Sequence, residues 1–230
     1  MQLKILSWNV WIHCHFDQVK DFLNTCDADI IGLQEVQSDD KERDIIGYMV
    51  GRGYEYVFAP IELSWGGKTY NFGPALFTKH KILSSETYNL PDSKNRIALK
   101  ADIEIEGKII HVFNTHLVHT HQQPDEIQES QADSIIQLLP KTSTIVMGDF
   151  NATPESVTIQ KMREVMLDSK SASLPTVNPD FFDCKVCDLK TISKVCLDYI
   201  FTSKDIKAHS FQVYPSAGSD HLAISTTVDL

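Results

Sequence analysis

The sequence predicts one α/β domain over residues 1–230. Apolar, β-rich runs recur, several helical patterns lie between them, and no linker, internal repeat or low-complexity segment divides the chain. A length of 230 residues suits a single domain of this class and leaves room for a substantial core.

The elements follow from period and punctuation. Leu3–Val10 (LKILSWNV) reads as a strand. Phe16, Val19, Phe22 and Leu23 recur at helical spacing, so Phe16–Asn24 is an amphipathic helix. Ile30–Val36 is a strand, and Lys41–Val50 a helix stopped by Gly51 and Gly53. Tyr54–Ala59, Ala75–Thr78, Ile82–Tyr88, Ile97–Ile105 and Ile109–His116 are strands, the last two joined by a turn at Glu106-Gly107. The stretch SWGGKTYN, with Trp65, reads as a glycine-containing mobile loop. Asp125–Leu139 is helical and Ser143–Met147 a buried strand. A further helix starts near Pro154 and runs to about Met166. Ser169–Lys194 is polar, carries Pro175 and Pro179, and reads as loop. Val195–Thr202, Ala208–Val213 and Leu222–Val228 close the chain as strands.

Composition narrows the function. Asp+Glu number 31 against 21 Lys+Arg, a formal charge of −10. The arginines are Arg43, Arg52, Arg96 and Arg163, and no Lys/Arg run exists, so no long electrostatic track for duplex nucleic acid is evident. No stretch is long and apolar enough to insert in a membrane. The N-terminal MQLKILSWNVW lacks the features of a secretory signal. Five unevenly spaced cysteines do not read as a disulfide framework, so a reducing, cytoplasmic location and a monomer are expected. Cys184 and Cys187 form a CxxC near Cys196, but no second pair completes a zinc ribbon. Nucleotide-loop, serine-hydrolase and zincin motifs are absent.

Polar groups gather at the ends of the apolar runs: Asn9, Glu35, Asn114 and His116, Asp149 and Asn151, Asp198, then Asp220 and His221. One carboxylate at a strand end is an ordinary turn former. Six such ends in one chain are harder to dismiss, because strand ends are where sites gather in open α/β sheets. Carboxylates with carboxamides make an all-oxygen environment suited to Mg²⁺, with Mn²⁺ a possible substitute. Histidines add proton transfer and positive charge near neutral pH.

The blocks SWNVW (7–11), DIIGLQEV (29–36), GPALFTK (73–79), NTHL (114–117), GDFNATP (148–154), LDYIF (197–201) and SDH (219–221) resemble the endonuclease/exonuclease/phosphatase superfamily, the deoxyribonuclease-I-like phosphoesterases. They occur in that family's order across nearly the whole chain. The resemblance implies a four-layer sandwich of two packed mixed sheets flanked by helices, and a Mg²⁺-dependent phosphoester hydrolase. By the same resemblance, Glu35, Asn9 and Asp220 would hold the metal. Asp149 would activate water and Asn151 would hold a phosphate oxygen. Asp198 would orient His221, which would serve as base or charge stabiliser, and His116 would contact the phosphate opposite. Asn9, Asn151, Arg96, Tyr70 and Asn71 would bind substrate. A catalytically silent binding module on the same fold is the competing class, and it would be expected to lack at least one of these positions.

The substrate is a phosphoester; the expected one is short or single-stranded nucleic acid, and the alternative is a phospholipid head group or small phosphorylated molecule. Lys68, Lys94 and Arg96 are candidate phosphate contacts. His119 and His121, at i+3 and i+5 from His116, read as a solvated loop, as do His13 and His15.

Overall fold

The computed structural model describes residues 1–65, 67–91, 95–170, 174–181 and 189–230. The strands are β1 (Gln2–Asn9), β2 (Ile30–Gln37), β3 (Glu55–Phe58), β4 (Ile61–Trp65), β5 (Lys68–Thr78), β6 (Lys81–Asn89), β7 (Ile97–Ile105), β8 (Lys108–His116), β9 (Thr144–Asp149), β10 (Leu167–Asp168), β11 (Asp198–Thr202), β12 (Lys207–Val213) and β13 (Ile224–Asp229). The helices are α1 (Phe16–Cys26), α2 (Ile45–Gly51), α3 (Glu126–Leu138), α4 (Val157–Val165) and the short α5 (Leu189–Ile192). One sheet runs β12-β13-β1-β2-β5-β3, with β4 also on β5; the other runs β10-β11-β9-β8-β7-β6. Each sheet contains one parallel pair, β1 with β2 and β8 with β9, and each crossover carries a helix, α1 or α3.

Three apolar layers hold the sandwich together. Leu3, Ile5, Ile30 and Leu76 of the first sheet meet Ile103, Val112, Ile145, Met147 and Ile200 of the second. On the outside, Val19, Leu23, Ile45 and Met49 of α1 and α2 cover Leu6, Trp8, Ile31 and Phe77. Ile135, Ile159 and Met162 of α3 and α4 cover Phe113, Val146 and Phe201. Side chains alternate faces along a strand, so the parity of these residues places the site. Ile5 faces the other sheet, and Asn9 shares its parity. Val112 is followed in the same way by Asn114 and His116, Met147 by Asp149, and Ile200 is preceded by Asp198. The polar residues are therefore the inward-facing positions at one end of the sandwich, where the sheet-to-sheet core runs out.

Glu35 has the wrong parity, since Ile31 and Leu33 face the helices. A β-bulge corrects it. The pairing of β2 with β5 slips between Leu33↔Ala75 and Val36↔Gly73, so Gln34 and Glu35 together oppose Pro74. The break falls opposite Pro74, whose carbonyl accepts from Ala59 N at 3.1 Å on the other side of β5. Glu35 takes φ 60°, in the left-handed region, and turns toward the cleft. Asn114 seals the slip from the other sheet: its Nδ2 donates to Leu33 O and Ala75 O, both at 2.8 Å, and its Oδ1 accepts from Gln34 Nε2 at 2.7 Å. The sheets come close at this point, where a Cβ on Gly32 would lie 2.5 Å from Met147 Sδ.

Several elements differ from the sequence reading. SWGGKTYN is not a loop but a hairpin, with Trp65 paired to Lys68 and Gly67 turning at φ 77°. The Lys41–Val50 helix is two pieces, a 3₁₀ turn at Lys41–Arg43 and then α2, because Asp44 caps Gly47 N at 2.7 Å and restarts the helix. The helix expected at Pro154 begins at Val157, where Ser156 is the cap. Within Ser169–Lys194, Val177 bridges His221 and α5 adds a turn. Cys184, Cys187, Lys94 and the Trp65 side chain lie outside the described residues and atoms. Among the described residues, no helix is long and apolar enough to cross a membrane.

Replacing Asn114 by alanine strands the Leu33 and Ala75 carbonyls and removes the shortest of the Gln34 amide's hydrogen bonds, leaving it Ser7 Oγ and Gly32 O at 3.3 Å. The expected cost is about 2–4 kcal/mol, read as a lower midpoint in urea unfolding. An unchanged midpoint would show that the bulge holds without Asn114.

Candidate active site

The strand ends line a cleft of about 180 Å³ with Asn9, Glu35, Arg96, His116, His119, Asp149, Asn151, Leu197, Asp220 and His221 on its walls. One atom lies at its centre. Asp149 Oδ2 is 3.1 Å from Asn9 Nδ2, 3.4 Å from His116 Nε2 and 3.6 Å from His221 Nε2. Asn9 Nδ2 also donates to Glu35 Oε1 at 3.2 Å, while its Oδ1 accepts the Trp11 N–H at 3.0 Å. Asn9 thus turns its amide, not its oxygen, toward the two carboxylates. Glu35 Oε2 accepts from Ile12 N at 2.9 Å, and Oε1 lies 3.8 Å from His116 Nδ1.

His221 is fixed from several sides. Its Nδ1 pairs with Asp198 Oδ2 at 2.9 Å, its N–H donates to Ser219 Oγ at 3.0 Å, and its carbonyl accepts from Trp8 Nε1 at 2.9 Å. Asp198 is fully buried, and its Oδ1 has no hydrogen-bond partner. The supporting segment is Thr176–Asn178, which sequence reasoning took for loop. Thr176 Oγ1 accepts the N–H groups of Leu197 and Asp198, and Asn178 Nδ2 donates to Ser216 O and Ser219 O. Asn151 takes φ 51°, a conformation asparagine tolerates, and donates its N–H to Asp149 Oδ1 at 2.8 Å.

His119 is a residue the sequence reading missed. It lines the cleft, with Nδ1 2.7 Å from Asn151 Oδ1 and Nε2 3.1 Å from His121 Nδ1. Its spacing of three from His116 was the available signal, but nothing in the sequence shows that the chain curls back there. Arg96 also lines the cleft. Tyr70 and Asn71 are not among the residues lining it: Asn71 donates to Asp39 Oδ2 at 3.2 and 3.3 Å, and the Tyr70 ring lies 6.1 Å from that of His13.

Burial and crowded charge push these groups apart. Burial raises the Asp149 carboxyl, with Asp198 adding to it against the pull of His221, and its pKa reaches about 7. Burial likewise raises Asp220 to about 6, with the Glu35 charge adding to it. Burial, then Arg96, His221 and His119, hold the His116 pKa well below its ordinary value. For His221 burial is the largest single influence and opposes protonation, but Asp198, Asp149 and Asp220 together outweigh it and hold its pKa well above 6.5. The buried ligand atoms of Asp149, Asp198 and His221 lie within 4.8 Å of one another, near enough to hold a metal ion.

Fold and site together define a four-layer α/β sandwich with a carboxylate–histidine cleft at one end of its sheets. The sequence pattern of the Endonuclease/Exonuclease/phosphatase family matches residues 6–221, and the chain belongs to that family. Its members are hydrolases acting on phosphoesters. Among solved structures, an endonuclease/exonuclease/phosphatase from Beutenbergia cavernae DSM 12333 superposes with a TM-score of 0.82 at 17% identity, over 100% of this chain and 72% of that one. The human Nocturnin catalytic domain, solved with a bound sulfate anion, gives 0.77 at 20% identity, over 99% and 93%. ANGEL2, a 2′,3′-cyclic phosphatase solved in complex with adenosine-2′,3′-vanadate, gives 0.72 at 17%, over 99% and 95%. No curated protein matches the sequence significantly.

The pKa directions give a signed prediction for the protein in chelator. A group whose folded pKa exceeds its unfolded value contributes stability that is lost as pH rises through the folded pKa. Asp149 and His221 both belong to this kind. The opposing contribution of His116, whose pKa is lowered, is nearly complete once its unfolded form is neutral, near pH 7. Tm should therefore fall between pH 7 and 8, by about 2–4 °C if the net loss is about 1 kcal/mol. A rise in Tm across that interval would contradict the protonation pattern.

Proposed function

We propose that the chain is a divalent-metal-dependent phosphoesterase that hydrolyses a phosphodiester in short or single-stranded nucleic acid. The observation that carries the reading is the convergence of Asn9, His116 and His221 on Asp149 Oδ2, beside Glu35 and Asn151.

The donor set fits a hard cation. Glu35 and Asp220 supply carboxylate oxygens to the same cleft, and the Asp220 pKa, raised chiefly by burial, is raised further by the Glu35 charge. The Asp149–Asp198–His221 group fits less well, because the His221 Nδ1 is already committed to Asp198 at 2.9 Å. A divalent ion on Glu35 and Asp220 would neutralise charge on the phosphoryl oxygens. The chain's own groups do the rest. With a pKa of about 7, Asp149 can accept a proton from water near neutral pH. His221, kept protonated and aimed by Asp198, presents positive charge to the phosphate, which favours its stabilising role over its role as base. Arg96 and the Asn151 amide add donors on the walls. His116 is neutral, and faces the carboxylates from the second sheet.

The acidic balance and the absence of a Lys/Arg run favour a short substrate over a long duplex.

Turnover of bis(p-nitrophenyl) phosphate and of a short oligonucleotide should stop after exhaustive chelation and return with Mg²⁺. Full activity in EDTA would remove the metal from the mechanism. Asp149→Asn and His221→Ala should each lower kcat by about 10²-fold or more, and the double variant should lose far less than the product of the two, because the residues act as one unit. Near-native kcat in either single variant would refute the assignment.

A further inference from the structure

The polar groups of Asn151 are almost all committed to the protein. Its backbone N–H donates to Asp149 Oδ1 at 2.8 Å, and its carbonyl accepts from Gln128 Nε2 at 3.0 Å. Its Nδ2 donates to Leu117 O at 3.1 Å, and its Oδ1 lies 2.7 Å from His119 Nδ1. A main-chain carbonyl can only accept, so the amide atom against Leu117 O is the nitrogen and the atom against His119 is the oxygen. That oxygen also only accepts, so His119 Nδ1 must carry a hydrogen. The same choice passes outward. Burial is the largest influence on His119 and lowers its pKa, with His121, His221 and Arg96 adding to it against the Asn151 bond. The ring is therefore neutral near pH 7, its single hydrogen sits on Nδ1, and Nε2 is left as an acceptor. His121 Nδ1, 3.1 Å away, donates to it. Each bond in the row His121–His119–Asn151–Leu117 thus has one direction, set by the carbonyl at its end. The loop that carries His119 is itself tied to α3: Val118 N–H donates to Gln131 Oε1, and Val118 O accepts from Gln128 Nε2, both at 3.0 Å.

An amide nitrogen carries two hydrogens, and the second one on Asn151 Nδ2 has no acceptor among the described residues. Asn151 lines the cleft, so this hydrogen is what the side chain can offer to an anion there. We propose that His119 is a positioning residue for phosphoester hydrolysis: its Nδ1–H holds Asn151 Oδ1 and so keeps the Asn151 amide turned with one N–H left for a phosphoryl oxygen. The inference rests on the phosphoesterase reading and adds to it a residue that acts through Asn151. Asn151 is buried, so without His119 its oxygen becomes an acceptor with no partner and no water. A flipped amide is worse, since it sets oxygen against the Leu117 carbonyl and N–H against the His119 N–H. The histidine pair therefore acts as a fixed tether, with no proton transfer assigned to it.

Two measurements test the role. Long-range proton–nitrogen NMR of the native protein in Mg²⁺, with the His119 signals assigned by their loss in His119→Asn, should show His119 as the Nδ1–H tautomer, the less populated form of free histidine. The Nε2–H tautomer would overturn the proposal whatever the activity. The second measurement is kcat/KM for bis(p-nitrophenyl) phosphate. His119→Ala should lower it about fivefold, the size of one lost hydrogen bond. His119→Asn, whose amide nitrogen stands where Nδ1 stood, should recover most of that loss, and His119→Gln, whose amide reaches to the place of Nε2, should not. In an Asn151→Gly background, chosen because glycine accepts the φ of 51°, adding His119→Ala should lower kcat/KM no further. Native kcat/KM in His119→Ala, an asparagine variant as poor as alanine, or an undiminished loss when Asn151 is already gone would each overturn the positioning role. If the native protein hydrolyses the diester and any of these results is found, that role alone falls. If the native protein leaves the diester intact in Mg²⁺, the phosphoesterase reading falls and takes this role with it.

Discussion

A one-residue slip between two strands holds the site together. Opposite Pro74 the β2–β5 ladder slips by one residue, and Glu35 is thrown from the helix-facing side of the sheet to the cleft side. Without that slip Glu35 would point with Leu33 into the apolar layer under α1 and α2, where an unpaired carboxylate is costly. The slip would be unfavourable on its own, because it leaves carbonyls without ladder partners. Asn114 satisfies two of them from the opposite sheet, and so ties the spacing of the two sheets to the position of Glu35. A feature of one strand thereby fixes a distance between layers.

The cleft is a place where folding and function pull in different directions. Three carboxylates and three histidines are crowded into a largely dehydrated space, and burial raises Asp149 and Asp220. What keeps the arrangement in one geometry is neutral: the Asn9 amide between Glu35 and Asp149, the Ile12 and Asn151 backbone N–H groups, and Thr176 behind Asp198. These groups are rigid because they belong to strands or to turns tied to strands. Glu35 and Asp149 are thus preorganised by partners that carry no charge themselves, while Asp198 aims His221, and such fixed partners are the condition for electrostatic stabilisation at low reorganisation cost.

Much of this was legible in the sequence, and the reason is parity. Asn9, His116 and Asp149 continue the inward-facing alternation of runs whose apolar members are easily read, so their convergence follows once the strands are assigned. The remaining features depend on non-local facts. Glu35 breaks the alternation, and its correction lies in Pro74, thirty-nine residues away in sequence but directly opposite in space. His119 enters the cleft only because the chain turns back over Asn151. Thr176–Asn178 has no periodicity and two flanking prolines, and becomes ordered through bonds to Asp198, Ser219 and Asp220 rather than through its own propensity. The β4–β5 hairpin reads as loop in sequence because its glycines outweigh a weak strand pattern, whereas Gly67, at positive φ, is the residue a tight hairpin turn favours.

The bonds from Trp8 Nε1 to His221 O and from Ser219 Oγ to Asn9 O join residues 213 and 210 positions apart. Asn9 emerges early in synthesis and His221 late, and β1 waits for β13 as its antiparallel neighbour. Closing so long a loop is entropically slow, and it comes after most local structure has had time to form. A chain still being translated therefore holds Glu35 and Asp149 but no aimed His221. The cleft is completed with the last strands, so the order of synthesis fixes when its opposed charges meet.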